Sequence, residues 1–332
     1  MSQTPKNIVK QLIYVIFISI AVPFLLSFLN FVHPLFDSYS HFRIHLLLLL
    51  IPTLFLLAFF HKIKNMFIYL LLVLLASVYL YYLNQPFIPQ PIDQDKNNTL
   101  KQIQFNLRFD NSQMQDVIAY LKESQADVIT LQEVTKEHQE VLQLLMTNEY
   151  SLALKEEFPY VEWEQGAYPH QAYCQFYPIV GAVAILSKHP FNDEKSACLH
   201  GEGLLWSQIM VKEQPINIIS LHTRWSYPSS QTEQIEYIKP IFNHIKPPTI
   251  IAGDFNAVAW SHTVKEIEKT SNTNVINGLR WTINLEKQVP FIPNFKLSID
   301  HVLISKEFQV KSIFVDKDLG SDHFPLVTIL RY

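Results

Sequence analysis

The sequence predicts an α+β chain in two parts: an apolar helical anchor, then two sheets packed face to face with helices outside. Three observations predict it. The 48% hydrophobic content is concentrated in the first 84 of 332 residues. Beyond about residue 99, short apolar runs of strand length alternate with helix-like stretches to the end of the chain. Strands outnumber helices while helices punctuate both halves, a pattern that two packed sheets with outer helices satisfy.

The anchor comes first. Leu12–Val32, Ile44–Phe60 and Met66–Leu83 are nearly free of charge and run 17 to 21 residues, close to the ~20 that a helix needs to cross a bilayer. No small-residue cleavage site follows the first run and two more runs do, so three transmembrane helices are expected rather than a signal peptide. Lys6 and Lys10 precede the first span, and Lys62 and Lys64 lie between the second and third, against Arg43 beside Asp37 in the other loop. Positive residues stay preferentially inside. That asymmetry predicts a multi-pass inner-membrane protein with everything after Leu83 outside the cytoplasm, periplasmic in a Gram-negative cell. The expected organisation is therefore an anchor over 1–84, a Pro-rich linker over 85–100 and a catalytic-sized domain over 101–332.

In that domain, KQIQFNLRF (101–109) alternates as a half-buried strand should. Asp110, Asn111 or Ser112 is expected to cap a helix through Ser124 that buries Met114, Val117, Ile118 and Leu121. DVITLQEV (127–134) is more continuously apolar and reads as a central strand, and a helix over about 136–146 follows. IVGAVAILS, EGLLWSQIMV and INIISLH read as three strands, SSQTEQIEYIKPIF as a serine-capped helix, and PPTIIAGDFN as a strand. KLSIDHVLIS, QVKSIFVD and HFPLVTILRY close the chain as strands.

Once the anchor is set aside, 21 basic residues face 29 acidic ones, which speaks against a strongly basic nucleic-acid footprint. Cys174 and Cys198 both fall in the outer domain: an unpaired core pair in a reducing compartment, a disulfide in an oxidising one.

Several strands end alike, in an apolar run followed by a polar or ionisable residue. These are Asn106 in QFNLRF, Glu133 in TLQEV, His222 in SLHT, Asp254 and Asn256 in GDFN, Asp300 in SIDHV, and Asp322 with His323 in GSDHFPL. One such residue is most often a turn-former. The set is different, because carboxylates, amides and imidazoles converging on one rim make a hard-cation site with proton-transfer groups beside it.

In order and spacing these six motifs resemble the endonuclease/exonuclease/phosphatase superfamily, the deoxyribonuclease-I-like fold, over about residues 101–332. With the N-terminal spans the chain is similar to a membrane-anchored bacterial subgroup. The resemblance implies a four-layered α/β/β/α sandwich and a hydrolase of phosphodiester bonds that uses magnesium, with manganese as the alternative. It implies that Glu133 is the principal metal ligand, with Asn106 and Asp322 completing the site. Asp254 would orient or activate the attacking water, Asn256 hold a phosphate oxygen, His222 contact the phosphate or assist the leaving group, and Asp300 orient His323.

Such a division suits phosphoester hydrolysis, which concentrates negative charge on oxygens that a metal and fixed donors stabilise. A glycosidase needs only a carboxylate pair. A noncatalytic binding module of the same fold would be expected to have lost one of these residues. Expected partners are the bilayer and a phosphoester substrate, either nucleic acid or a lipid or small phosphodiester; no protein partner is predicted. Arg108, Arg224 and Arg280 stand near motifs and are candidate phosphate readers. Trp281, Phe291, Ile292 and Phe295 are either a cover for the core or an apolar wall for a base or lipid.

Overall fold

The structure, a computed structural model, describes residues 5–60, 63–89, 98–146, 166–177, 180–290 and 292–332. The turn at 61–62, half of the linker (90–97), Ile179 and Phe291 lie outside the described residues. Helices α1 (Pro5–Leu26), α2 (Pro34–Ser40), α3 (Arg43–Phe59) and α4 (Ile63–Leu83) form the N-terminal part. Asn7–Leu29 and Met66–Leu83 are long and apolar enough to cross a membrane. The 17-residue α3 reaches that length only together with α2, from which it is bent by 68°. Leu12, Leu25, Phe67 and Leu74 are all more than half exposed, a density of outward apolar side chains that water does not tolerate over so large a patch. Arg43 instead turns inward, with Nε donating to Ser27 Oγ at 2.9 Å.

The outer domain runs β1 (Thr99–Asn106), α5 (Met114–Ser124), β2 (Val128–Val134), α6 (Lys136–Leu142), β3 (His170–Tyr177), β4 (Gly181–Ser187), β5 (Phe191–Leu199), β6 (Leu204–Val211), β7 (Gln214–His222), α7 (Gln231–His244) and β8 (Thr249–Asp254). It continues through α8 (His262–Ser271), β9 (Asn274–Val275), β10 (Ile283–Asn284), β11 (Lys296–Leu297), β12 (Asp300–Ile304), β13 (Gln309–Val315) and β14 (Leu326–Arg331). Among the described residues, one sheet has the order β13-β14-β1-β2-β4-β3 and the other β5-β6-β7-β8-β12-β9, while β10 and β11 form a small hairpin. Helices α5 and α6 cover the first sheet, burying Val117, Leu121 and Leu142 against Ile103, Phe105 and Leu131. Helices α7 and α8 cover the second, burying Ile238 and Val264 against Ile219, Ile251 and Leu303. Between the sheets lie Leu100, Val128, Ile216, Ile218, Ile250, Val302 and Leu330. This is the four-layered α/β/β/α sandwich.

Several local expectations are corrected. β1 is not half-buried: Gln102, Gln104 and Asn106 are as inaccessible as Ile103 and Phe105, because its polar face lies between the sheets. The α5 N-cap is Gln113, which makes no side-chain cap bond, while Asn111 Oδ1 accepts from Gln113 N. Ser230 does precede α7 but has left-handed backbone and makes no cap bond, since an extended cap is what sets a hydroxyl over first-turn amides. KLSIDHVLIS is two strands, because the chain passes at Ser298 and Ile299 from the hairpin to the second sheet. Edge strands β3 and β5 escape sequence reading because neither carries a sustained aliphatic run: β3 is HQAYCQFY and β5 FNDEKSACL. Cys174 on β3 and Cys198 on β5 form a disulfide, with Cα atoms 5.4 Å apart, that ties the edge of one sheet to the edge of the other.

Candidate active site

Strand register assembles the site. In the second sheet His222 pairs with Asp254 across β7 and β8, and Asp254 pairs with Asp300 across β8 and β12, so three ionisable side chains stand abreast on one face. In the first sheet Asn106 ends β1 beside Gln132 of β2. Asn106 Nδ2 reaches across the sandwich to Asp254 Oδ2 and along its own sheet to Glu133 Oε1, both at 3.0 Å. Glu133 sits where β2 slips register against β4, with φ +56°. A bulge of this kind re-aims a side chain, and here it sends Oε2 to accept from Phe109 N at 3.0 Å. Gly253 is fixed by close approach, because a Cβ there would collide with the Leu221 carbonyl of the neighbouring strand. Asn256, after the strand ends, has φ +44° and donates from Nδ2 to Thr223 O at 2.8 Å, while its own N–H bonds Asp254 Oδ1.

Asp300 and His323 meet as expected: Nδ1 lies 2.9 Å from Asp300 Oδ2 and 3.1 Å from Oδ1. They do not share neighbouring strands, however. Asp300 belongs to β12, whereas His323 lies on the segment leading into β14 of the other sheet and bridges Ile283 of the hairpin. Gln104 Nε2 also donates to Asp300 Oδ1, at 2.9 Å. The Nε2 atoms of His323 and His222 each approach Asp254 Oδ2 at 3.6 Å.

Burial and charge divide the titrating groups. Burial pushes the Asp254 carboxyl up to about 7, with Asp300 adding to the rise and His323, Asn256 and Asn106 opposing it. Burial opposes charge on His323 too, but Asp300, Asp254 and Asp322 outweigh it and lift the imidazole to about 10. Burial takes His222 down to about 4. Near neutral pH the site therefore holds one imidazolium, one neutral imidazole and a carboxyl group balanced between its two forms.

The donor set fits a divalent cation. The ligand atoms of Asp254, Asp300 and His323 lie within 4.8 Å of one another, but His323 Nδ1 is committed to Asp300. Glu133 and the Asn106 carboxamide offer oxygens of the type a hard cation takes; here Glu133 Oε1 and Oε2 accept from Asn106 Nδ2 and Phe109 N, and Asn106 Oδ1 accepts from Arg108 N. Four carboxyl groups, Asp254, Asp300, Glu133 and Asp322, stand against the His323 imidazole and the Arg108 guanidinium, an acidic excess that suits such a cation. Asp322, expected to complete the metal set, has its Oδ2 accepting from Gln288 Nε2 at 2.5 Å and lying 3.9 Å from Arg108 Nη1.

Of the candidate phosphate readers, Arg108 is closest to the site but paired with Asp110. Arg224 is held by Glu202 and Tyr177. Arg280 is buried, bonded to the Ile276 and Asn277 carbonyls, and lowered by burial to about 10. Trp281 and Phe295 pack against His45, and Phe295 also stacks on Phe42. They join the hairpin to the N-terminal helical part rather than forming a free wall. Sequence reading missed Gln104, Gln132, Thr223 and Gln231. The period of two that places Gln104 on the same face as Asn106 was the available signal.

Fold and site together define a hydrolase that works on phosphoesters at one end of a two-sheet sandwich. The pattern of the Endonuclease/Exonuclease/phosphatase family matches residues 103–323. The protein belongs to that family and is a metal-dependent phosphoric ester hydrolase. Among solved structures it is similar to an endonuclease/exonuclease/phosphatase from Bacteroides vulgatus, with TM-score 0.52 and 16% identity over 70% of this chain and 99% of that one. It is also similar to one from Beutenbergia cavernae, with TM-score 0.51 and 18% identity over 71% and 72%. At these identities the likeness speaks for the fold. No curated protein sequence matches the chain.

Proposed function

We propose that the protein is a membrane-anchored, magnesium-dependent phosphodiesterase whose catalytic domain lies outside the cytoplasm. The observation that carries this reading is the placement of Asp254, a buried carboxyl between the His222 and His323 imidazoles that accepts from the Asn106 amide, which also bonds Glu133. Asp254 orients the water and takes its proton, as a general base within reach of the nucleophile does. Asn256 and neutral His222 hold phosphate oxygens. His323, kept charged and oriented by Asp300, stabilises the negative charge that develops on the phosphorus oxygens. Glu133 and Asn106 hold a magnesium or manganese ion, with Asp322 as a third participant. When bound, that ion polarises the phosphoryl group and neutralises developing charge.

The division into an anchor over 1–84, a linker over 85–100 and a catalytic domain over 101–332 belongs to this reading, as do three spans with residues after Leu83 outside. A reporter fused after Leu83 that functions only outside the cytoplasm is expected to be active; a cytoplasmic signal overturns the orientation. For the substrate, the acidic balance of the outer domain and the packing of the anchor on the site loops favour a phosphodiester presented at the bilayer surface, such as a lipid headgroup, over nucleic acid. Full-length protein in detergent is to be assayed with magnesium on phospholipid vesicles, plasmid DNA, RNA, bis(p-nitrophenyl) phosphate and a simple phosphomonoester. Hydrolysis of the diesters, lost in excess chelator and restored by magnesium, is expected. Full activity in chelator refutes the mechanism, and faster turnover of DNA than of phospholipid refutes the substrate preference.

A further inference from the structure

We propose that the segment between the first two apolar helices is part of the machinery that sets the GDFN turn, with Asp37 as its positioning residue. The functional half of this inference rests on the reading above; the structural half does not.

Asp37 lies on α2, is 3% exposed, and spends its carboxylate on a helix 225 residues away. Oδ1 accepts from His262 N at 2.8 Å and Oδ2 from Thr263 N at 3.4 Å. The helix's own cap, Ser261, accepts from Val264 N at 3.1 Å. The first three amides of α8 are thus all satisfied, two of them by a negative charge at the positive end of the helix. A local serine or asparagine would have met the same need without burying a carboxylate. What the distant carboxylate adds is a link between segments.

That link continues to the site. Thr263, held at its N–H by Asp37, donates from Oγ1 to Gln231 Oε1 at 2.7 Å. Gln231 Nε2 donates to Thr223 Oγ1 and Phe255 O, both at 2.9 Å. Thr223 O in turn accepts from Asn256 Nδ2. Asparagine tolerates the left-handed backbone that Asn256 adopts, and this chain of bonds fixes where its side chain points. Two further bonds fasten the same loops to the anchor. Trp260 Nε1 donates to Ser40 O at 2.8 Å, and Tyr227 N to Ser38 Oγ at 3.1 Å. The loops after His222 and after Asn256 are therefore both tied to the segment that joins the first two helices.

The test compares wild type, Asp37→Asn and Asp37→Ala as full-length proteins in detergent. It reads amide hydrogen exchange by mass spectrometry and magnesium-dependent hydrolysis of bis(p-nitrophenyl) phosphate. In Asp37→Ala, amides of residues 255–264 are expected to exchange at least about tenfold faster while those of β1 and β2 keep wild-type protection. The kcat/KM is expected to fall about 10- to 100-fold. Asp37→Asn retains an acceptor for His262 N–H and is expected to fall between the two in both readouts. Unchanged exchange at 255–264, exchange that accelerates equally across the domain, or an unaltered kcat/KM beside an active wild type overturns the proposal. If Asp37→Ala does not fold, Asp37→Asn is judged by the same criteria. A wild type inactive on every phosphoester removes the functional reading alone, and the exchange pattern still decides the positioning.

Discussion

The layer between the two sheets has two ends that differ completely although the same strands build both. Along the inward face of β1 the residues run Leu100, Gln102, Gln104, Asn106; along β7, Ile216, Ile218, Ser220, His222; along β8, Ile250, Ala252, Asp254. At one end Leu100, Ile216 and Ile250 join Val128 and Leu330 in a buried apolar cluster. At the other, Asn106, His222, Asp254, Asp300 and His323 are just as buried. Between them a polar ladder runs from Gln102 to Thr130, Gln104 to Gln132 and Asp300, and Gln132 to Ser220. The apolar end drives the sheets together. The polar end holds costly buried groups that this frame satisfies in part: the side-chain amides of Gln102, Gln104 and Gln132 all donate, while Gln102 Oε1, Gln104 Oε1 and His222 Nδ1 are buried without a partner. Stability and chemistry are thereby separated along one axis, and substitutions at the two ends should fail in different ways.

The sharpest break is at the polar end. Glu133→Gln keeps side-chain volume but removes a ligand charge, and is expected to lower kcat about a thousandfold or more. Its far-ultraviolet circular dichroism and thermal midpoint should stay at wild-type values. Retained activity, or loss of fold along with activity, contradicts the separation.

The Asp300–His323 pair comes next. Asp300→Asn and His323→Ala are each expected to lower kcat by about two to four orders of magnitude. The double variant should be little worse than His323→Ala, since residues acting as a unit are strongly non-additive. Fully multiplicative losses in single-turnover rates would show that the 2.9 Å contact has no functional coupling.

The apolar end is expected to show the converse. Ile218 is fully buried between the sheets, and Ile218→Ala should cost about 2–5 kcal/mol of unfolding free energy through lost burial and the cavity left behind. Turnover per folded molecule should not change. A denaturant titration paired with active-site counting distinguishes this from a loss of chemistry.

The same axis explains what was legible in the sequence. The site residues stood out because each interrupts an apolar run at a strand end, and register then brings His222, Asp254 and Asp300 abreast. The alternation of β1 reports which residues share a face, not whether that face meets water; the Gln102 and Gln104 amides donate to partners on other strands that no local pattern reveals. The resemblance places Asp322 among the metal ligands, and nothing in its motif reveals the bond it accepts from Gln288, on a segment with no motif of its own. Asp37 was invisible for the same reason, being joined to α8 across 225 residues.

The smallest expected effect contrasts two aspartates at opposite ends of the layer. Burial raises Asp254, whereas at Asp127, just before β2, burial also works against the charge but is outweighed by the His189 side chain, the Lys101 N–H and the nearby lysine charge, so its carboxyl is held below the usual range. His189 Nε2 lies 3.1 Å from Oδ1, and Lys101 N donates to Oδ2 at 2.7 Å. A carboxyl whose pKa is depressed on folding stabilises the fold fully above its unfolded value of about 3.9 and loses that contribution as pH falls through the folded value. Asp127→Asn should therefore lower stability near neutral pH, by no more than about 1 kcal/mol because the pair is partly exposed and screened by salt. The deficit should shrink below about pH 4 as the wild-type carboxylate is itself protonated. Thermal midpoints of wild type and variant measured in parallel from pH 7 to pH 3 read this directly. A variant more stable than the wild type at pH 7 would mean that the charge of Asp127 opposes folding, as burial alone would have it do.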